Sequence, residues 1–246
     1  MIRYKVIVQY DGHNYNGWQR VTNGIGIQQV IEDILSSITK ETITIIGSGR
    51  TDALVHAYGQ VFHFDTNLDI ENYRFKDAIN ALLPNDIYII DINRVDNSFH
   101  ARFNSKYKVY QYHINNSQYN PLLFNYTLYI KDQLDIDIMI KASKLFIGTI
   151  DYTSFCATSL STHPNQVRTI EYIDFIIDGD IMIIEFKGDG FLRYMVRMIV
   201  ATLIQVGLYK IDINDINNMI NAKDKEVCKY NVSARGLYLK EVIYNG

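Results

Sequence analysis

The chain has 246 residues, of which 48% are apolar and 21% are charged, and its formal net charge is −3. This length is enough to bury a substantial core in one large domain or two small ones, and the apolar content excludes an intrinsically disordered chain. The net charge excludes a uniformly basic nucleic-acid coat protein but leaves room for a local basic stripe that binds RNA or DNA.

The cysteines and histidines give no sign of a disulfide framework or a metal site. The two cysteines, Cys156 and Cys228, form no CxxC pair, which argues against a zinc ribbon and favours a reducing compartment. The six histidines show no zinc-ligand spacing. We therefore expect no bound metal ion.

The most apolar stretch of the chain, residues 191–209, is interrupted by Arg193, Arg197 and Gln205. Its uncharged run is shorter than the roughly 20 apolar residues that span a bilayer. The N-terminus also lacks the apolar core of a signal peptide. We therefore expect a buried helix here, in a cytoplasmic protein that is not associated with a membrane.

The first hundred residues alternate between strand and helix patterns. Period-two apolar residues predict strands, and apolar spacings of three and four predict helices. The predicted elements are a strand over 3–10, a helix over 28–38, strands over 42–46 and 60–65, a helix over 73–83 and a strand over 87–92. This β-α-β-β-α-β order is close to the ferredoxin-like split unit.

The second half of the chain repeats the same order. Its predicted elements are a strand over 106–114, a helix over 138–146, strands over 168–177 and 181–186, helices over 191–207 and 213–222, and a strand over 237–244. The tripeptide Asp-Gly-Asp at 178–180 is a hairpin-turn signal. We expect an α+β fold of two β-α-β-β-α-β halves, 1–103 and 104–246, which form a mixed, mainly antiparallel sheet with flanking helices and a central cleft.

The segment GSGRTDALVHAYGQ, residues 47–60, is the first candidate site. It is not a P-loop, because the Gly-Lys-Ser/Thr ending is missing. In one interpretation Asp52 is a helix N-cap and Arg50 is a solvated surface residue. In the other, Asp52 is a fixed carboxylate at a cleft with Arg50 beside it, and the residues alone leave both interpretations open.

A pair of arginines in the apolar segment is the second candidate. Arg193 and Arg197 are four residues apart, so they share one face of the helix predicted over 191–207. A buried arginine requires an anionic partner, because an unpaired buried charge is costly. That partner is either a structural carboxylate of the sheet or a site carboxylate that the arginine keeps ionised.

The strand predicted over 106–114 is the third candidate. One of its sides carries Lys106, Lys108, Tyr110 and Tyr112. RNA-binding surfaces combine such residues, because lysines contact phosphates while aromatic rings stack on bases. The alternative is an exposed strand face that is simply rich in β-forming residues.

Nine short blocks are spread over nearly the whole chain, from residue 10 to residue 239. They are YDGHNYNGWQR (10–20), GRTDALVHAYGQVFHFDT (49–66), LPNDI (83–87), FHARF (99–103), KVYQY (108–112), TSFCA (153–157), VRTI (167–170), GFLRYMVR (190–197) and GLYL (236–239). In this order they resemble the TruA family of bacterial tRNA pseudouridine synthases. The resemblance implies the pseudouridine synthase fold.

The resemblance also implies residue roles. Asp52 corresponds to the catalytic nucleophile, Arg50 to the arginine that helps to displace the target base, and Arg197 to the arginine that pairs with the nucleophile. Tyr110 corresponds to the tyrosine that stacks on the flipped uracil, and Leu237 to the leucine that packs against it.

The reaction implied by the resemblance is the conversion of uridine to pseudouridine at positions 38–40 of the tRNA anticodon arm, by a homodimer without a cofactor. The N1–C1′ bond breaks, the uracil rotates, and C5 bonds to C1′. No electron or group is transferred, so neither a redox cofactor nor ATP is needed. The base must be flipped out of its stack to expose the glycosidic bond. We expect the RNA to be bound by a basic surface that includes Arg20, Lys106, Lys108 and Arg193.

Two departures from the family pattern keep alternatives open. Leu54 stands where the family has glycine, and NVSARGLYL (231–239) stands where the family has a TAPA-like segment. Because leucine at positive φ costs about 1–2 kcal/mol, we expect an ordinary φ at Leu54. The alternatives are a paralogue with altered RNA specificity, a catalytically weak RNA-binding protein of the same fold, and a structural oligomer.

Overall fold

The protein, described by a computed structural model over residues 1–245, divides into two compact units. Unit 1 comprises Met1–Lys106 together with the C-terminal segment that begins at Tyr238, and unit 2 comprises Tyr107–Leu237. Each unit combines a mixed, mainly antiparallel arrangement of strands with helices, so the predicted α+β fold class is confirmed. None of the helices within residues 1–245 has the length and apolar character needed to cross a membrane.

Ten strands and five α-helices lie within the described residues. The strands are β1 Ile2–Tyr10, β2 Ile46–Gly47, β3 His56–Thr66, β4 Ile87–Val95, β5 Ser105–Asn115, β6 Leu128–Tyr129, β7 Gly148–Asp151, β8 Val167–Asp178, β9 Ile181–Gly188 and β10 Leu237–Tyr244. The helices are α1 Ile27–Thr39, α2 Asn72–Asn80, α3 Ile136–Ser143, α4 Met195–Gly207 and α5 Ile213–Ala222. The first half has the predicted order, whereas the second half has two short strands in addition, β6 and β7.

Unit 1 is organised around β1 and β3. Strand β1 pairs antiparallel with β3 on one side and with β4 on the other, and β10 pairs parallel with β3. Tyr4, Val6 and Val8 alternate along β1 and are completely buried, as their period-two spacing predicts. The pairing places the end of β1, at Tyr10, opposite Ala57 in β3.

The strand predicted over 42–46 is mostly absent, because β2 begins only at Ile46. Ile43 and Ile45 are nevertheless buried. Side chains of α1 accept hydrogen bonds from their backbone: the Ile43 N–H donates to Ser36 Oγ at 3.0 Å, and the Ile45 N–H donates to Glu32 Oε1 at 3.0 Å. Burial therefore alternates along residues 42–46 as in a strand, but the N–H groups of the two buried residues need no neighbouring strand.

Unit 2 contains the antiparallel series β5-β9-β8-β7, and β6 lies parallel to β5. The predicted hairpin between β8 and β9 is confirmed, with Gly179 in the left-handed region at φ +57°. Helix α4 buries every residue except Arg197 and Gln205. This is the arrangement expected of a helix that is apolar on nearly all sides.

Helix α4 begins at Met195 rather than at 191. The preceding residue, Tyr194, has φ +65°, a left-handed conformation that interrupts a right-handed helix. Arg193 therefore lies outside the helix and is exposed, while Arg197 lies in its first turn and is half-buried. The expectation that the two arginines share one helix face is wrong.

Candidate active site

The loop that carries Arg50 and Asp52 joins β2 to β3 in unit 1. Arg50 is exposed and Asp52 is half-buried. The Val55 N–H donates to the Asp52 carbonyl at 3.3 Å, and the chain then enters β3 directly. Because no helix follows, the interpretation of Asp52 as a helix N-cap is wrong.

A second loop, residues 11–18, packs against this one without intervening side chains. A Cβ added to Gly12 would lie 2.0 Å from the Val55 carbonyl oxygen, and one added to Gly17 would lie 2.6 Å from the Thr51 carbonyl oxygen. The Trp18 N–H donates to the same Thr51 carbonyl at 3.0 Å. Only glycine permits this approach, which explains the two glycines of the block YDGHNYNGWQR.

Leu54 has φ +67° and is half-buried. The expectation of an ordinary φ at this position is therefore wrong. Leu54 lies in the turn that the hydrogen bond between Asp52 and Val55 closes, and β3 begins directly after this turn. Leucine here adopts a conformation in which glycine would be unstrained.

The remaining residues expected at a catalytic site lie on elements of unit 2. Tyr110, in β5, is half-buried, and its ring meets that of Phe191 edge-on with centroids 5.2 Å apart. Arg197 donates from Nε to the Val232 carbonyl at 2.8 Å, and its guanidinium carbon lies 4.5 Å from the centroid of the Tyr194 ring. These contacts hold both side chains in defined orientations.

Leu237 is the first residue of β10, and 6% of its surface is exposed. The Gly236 that precedes it has no room for a side chain, since a Cβ there would lie 2.8 Å from the His113 carbonyl oxygen. The glycine therefore allows the backbone to approach β5 closely just before Leu237.

The basic residues expected to bind RNA differ in their surroundings. Arg20 is half exposed and forms ion pairs with Glu32 at 3.0 Å and with Asp33 at 3.4 Å. Arg193 donates to the Tyr194 hydroxyl at 3.1 Å.

The lysines lie on β5. Lys106 is exposed and Lys108 is half-buried, whereas Tyr112 on the same side is completely buried and its hydroxyl donates to the Ser233 carbonyl at 2.7 Å. This side of β5 therefore passes from solvent into the core, and Tyr112 is excluded from any exposed RNA-binding face.

Four buried polar residues at this loop were not identified from the sequence as site residues: Tyr10, Ser48, Thr51 and Gln60. Tyr10 carries a period-two signal that predicts burial and nothing more. Within residues 1–245, no group of three His, Cys, Asp or Glu side chains is arranged to hold a metal ion.

The fold and the loop together define an α+β protein that carries a half-buried carboxylate on a tightly packed turn. A family model described as tRNA pseudouridine synthase matches residues 6–104 and 142–245. The chain belongs to this family, whose members are isomerases.

Three curated relatives are similar to the chain over nearly its full length. The tRNA pseudouridine synthase A of an Exiguobacterium species is 42% identical over 244 residues, covering 99% of this chain and 98% of the relative. That of Acetivibrio thermocellus is 41% identical over 245 residues, covering 99% and 100%. The tRNA pseudouridine synthase A 2 of Clostridium tetani is 44% identical over 241 residues, covering 97% of both chains.

Proposed function

We propose that the protein converts uridine to pseudouridine at positions 38–40 of the tRNA anticodon arm, with Asp52 as the nucleophile. Family membership supports the reaction class, and the relatives named above are synthases that act on tRNA. The observation that carries the role of Asp52 is its position. Asp52 is half-buried on a turn that lies in close contact with two glycines of the loop at residues 11–18. A fixed carboxylate of this kind is suited to act on a reacting sugar.

The chemistry requires an ionised Asp52. The carboxylate acts at the ribose, either by attack on C1′ or by removal of a proton from the 2′ carbon. The N1–C1′ bond breaks, the detached uracil rotates, C5 bonds to C1′, and the proton displaced from C5 is balanced by one gained at N1. Substrate and product have the same atoms, so the reaction needs no co-reactant.

The other site residues would supply positive charge near Asp52 and the substrate, and apolar contacts to the flipped base. Arg197 would keep Asp52 ionised, because a neighbouring cation favours the charged form of a carboxyl group. Arg50, which is exposed, would help to displace the base from its stack. Tyr110 would stack on the flipped uracil and recover about 1–3 kcal/mol. Leu237 would pack against the base.

We further propose a cytoplasmic homodimer that binds the tRNA backbone through Arg20, Lys106, Lys108 and Arg193, without a cofactor. The ion pairs that Arg20 makes with Glu32 and Asp33 mean that it would have to be shared between the protein and a phosphate. Leu54, at the turn after Asp52, supports a second candidate, a paralogue that modifies a different uridine.

The test compares two Asp→Asn variants of unit 1. Asp52→Asn keeps the shape of the side chain and removes the nucleophile, so conversion should fall at least about a thousandfold, or roughly 4 kcal/mol of barrier, while tRNA affinity is retained. Asp69→Asn is the matched control, because Asp69 is exposed and pairs with Arg94 at the surface. Pseudouridine is mapped in a tRNA transcript with uridines at 38–40 and in one with cytidines there.

Turnover of Asp52→Asn within tenfold of wild type would exclude Asp52 as the nucleophile. Pseudouridine that forms equally in both transcripts would exclude positions 38–40 and favour the paralogue.

A further inference from the structure

Buried polar side chains bracket the loop that carries Arg50 and Asp52. Tyr10, Ser48, Thr51 and Gln60 have 4%, 0%, 6% and 0% of their surface exposed. None of them is among the residues to which a catalytic role is assigned above. Because buried polar groups are costly unless they are hydrogen-bonded, their partners indicate what they hold in place.

Thr51, which lies between Arg50 and Asp52, is fixed through both its side chain and its backbone. Its Oγ1 lies 2.8 Å from the hydroxyl of Tyr10, and its carbonyl accepts the Trp18 N–H at 3.0 Å. Tyr10 is the last residue of β1, where it is paired with β3 and with β4. The hydroxyl of Tyr10 therefore connects the loop to a strand that is itself held on both sides.

The other flank of the loop is held by Gln60. Its Nε2 donates to the Gly49 carbonyl at 3.1 Å, and its Oε1 accepts the Ser48 hydroxyl at 2.7 Å. The Ser48 N–H in turn donates to the Val61 carbonyl at 2.7 Å. The residues immediately before Arg50 are thus fixed to β3 by bonds to Gln60 and Val61, and Gln60 also contacts the Tyr10 hydroxyl.

We propose that Tyr10 is a positioning residue, which sets the placement of Asp52 through its hydrogen bond to Thr51. This proposal rests on the role proposed for Asp52 above. With the residues before Arg50 already fixed by Gln60, the bond to Thr51 restrains the side of the loop that leads into Asp52. A misplacement of about 1 Å can cost about a hundredfold in rate, so loss of this bond should slow the chemistry more than it weakens RNA binding.

The test removes the bond from each end, by Tyr10→Phe and by the near-isosteric Thr51→Val, singly and together. The matched control is Tyr244→Phe, since the Tyr244 hydroxyl donates to the Ala101 carbonyl at 2.7 Å in the same unit and away from the loop. Thr51→Ser keeps a hydroxyl and serves as the conservative variant. For each protein, kcat, KM and tRNA affinity are measured below its unfolding temperature.

We expect Tyr10→Phe and Thr51→Val each to lower kcat at least about tenfold, with KM within about twofold of wild type. The double variant should be no slower than the slower single variant, because both changes remove the same bond. Thr51→Ser should recover most of the lost rate. Tyr244→Phe should change the unfolding temperature without changing kcat.

Wild-type kcat in Tyr10→Phe or in Thr51→Val would overturn the proposal, and so would additive losses in the double variant or a loss confined to KM. Failure of the proposed function gives a different result, because Asp52→Asn would then remain active. If Tyr10→Phe does not fold, Thr51→Val with its serine control decides the question alone.

Discussion

At the scale of single residues, Leu54 is the position at which local strain can be measured. A leucine at φ +67° costs about 1–2 kcal/mol relative to an ordinary conformation. Replacement by glycine removes this strain, but it adds unfolded-state entropy of about 0.5–1 kcal/mol and loses the contacts of a half-buried side chain. These opposing terms nearly cancel, so the strain becomes visible only against a matched control.

We predict that Leu54→Gly is about 0.5–1 kcal/mol more favourable for folding than Ala53→Gly. Ala53 is exposed, belongs to the same loop and has no positive φ, so its replacement changes only backbone entropy. Urea unfolding of both variants gives the difference. Equal losses of stability would show that Leu54 is not strained.

The conformation of Leu54 could not be predicted from the sequence, because residues about 40 positions away in the chain impose it. Residues 51–55 must turn sharply beneath the loop that contains Gly12 and Gly17. The same holds for the partnership of Tyr10 and Thr51. The local pattern predicts that Tyr10 is buried, but its hydrogen-bond partner depends on tertiary packing.

At the scale of elements, the spacing of apolar residues predicts a helix or strand best where the element buries a single face. Helix α5 and strand β10 lie where the pattern predicts them, near 213–222 and over 237–244. The pattern fails over 42–46, where Ser36 and Glu32 satisfy the backbone, and at the start of α4, where Tyr194 is left-handed. In both cases a specific local contact or dihedral overrides the apolar spacing.

Strand β3 contains a buried histidine that makes stability depend on pH. Burial and the nearby Arg3 guanidinium lower the pKa of His63 to about 4. Its Nδ1 accepts the Ala101 N–H at 3.1 Å, which requires that this nitrogen carry no proton. Between pH 6.5 and about 4 the unfolded chain therefore binds a proton that the folded chain does not, and stability falls as the pH falls.

We predict a loss of up to about 3 kcal/mol of unfolding free energy over this interval from His63 alone. Urea unfolding at several pH values should show a smaller slope in His63→Asn, whose amide oxygen can replace Nδ1 as acceptor. His163→Gln is the control, because His163 is exposed. Identical slopes in wild type and His63→Asn would show that His63 is not the titrating group.

At the scale of the whole molecule, the nine sequence blocks predict the family, but they do not predict which strand pairs with β10. Strand β10 belongs to unit 1 from Tyr238 onward, where Tyr238 lies opposite His56 in the parallel pair with β3. The Tyr238 ring stacks on His56 at 4.7 Å and on Tyr58 at 5.1 Å. Strand propensity predicts β10 itself, but its partner follows from aromatic contacts between residues about 180 positions apart.

The protein has a net charge of −3, so its overall charge does not attract a polyanion such as RNA. Affinity must come from local cations, and each phosphate contact contributes about −0.7 to −0.9 to the slope of log K against log salt. We predict a slope of several units for tRNA. Lys106→Gln and Arg193→Gln should each reduce its magnitude by about one, whereas the exposed Lys210, replaced by glutamine, should leave it unchanged. Filter binding across a salt series measures all four proteins, and a flat dependence in wild type would exclude a phosphate-binding surface.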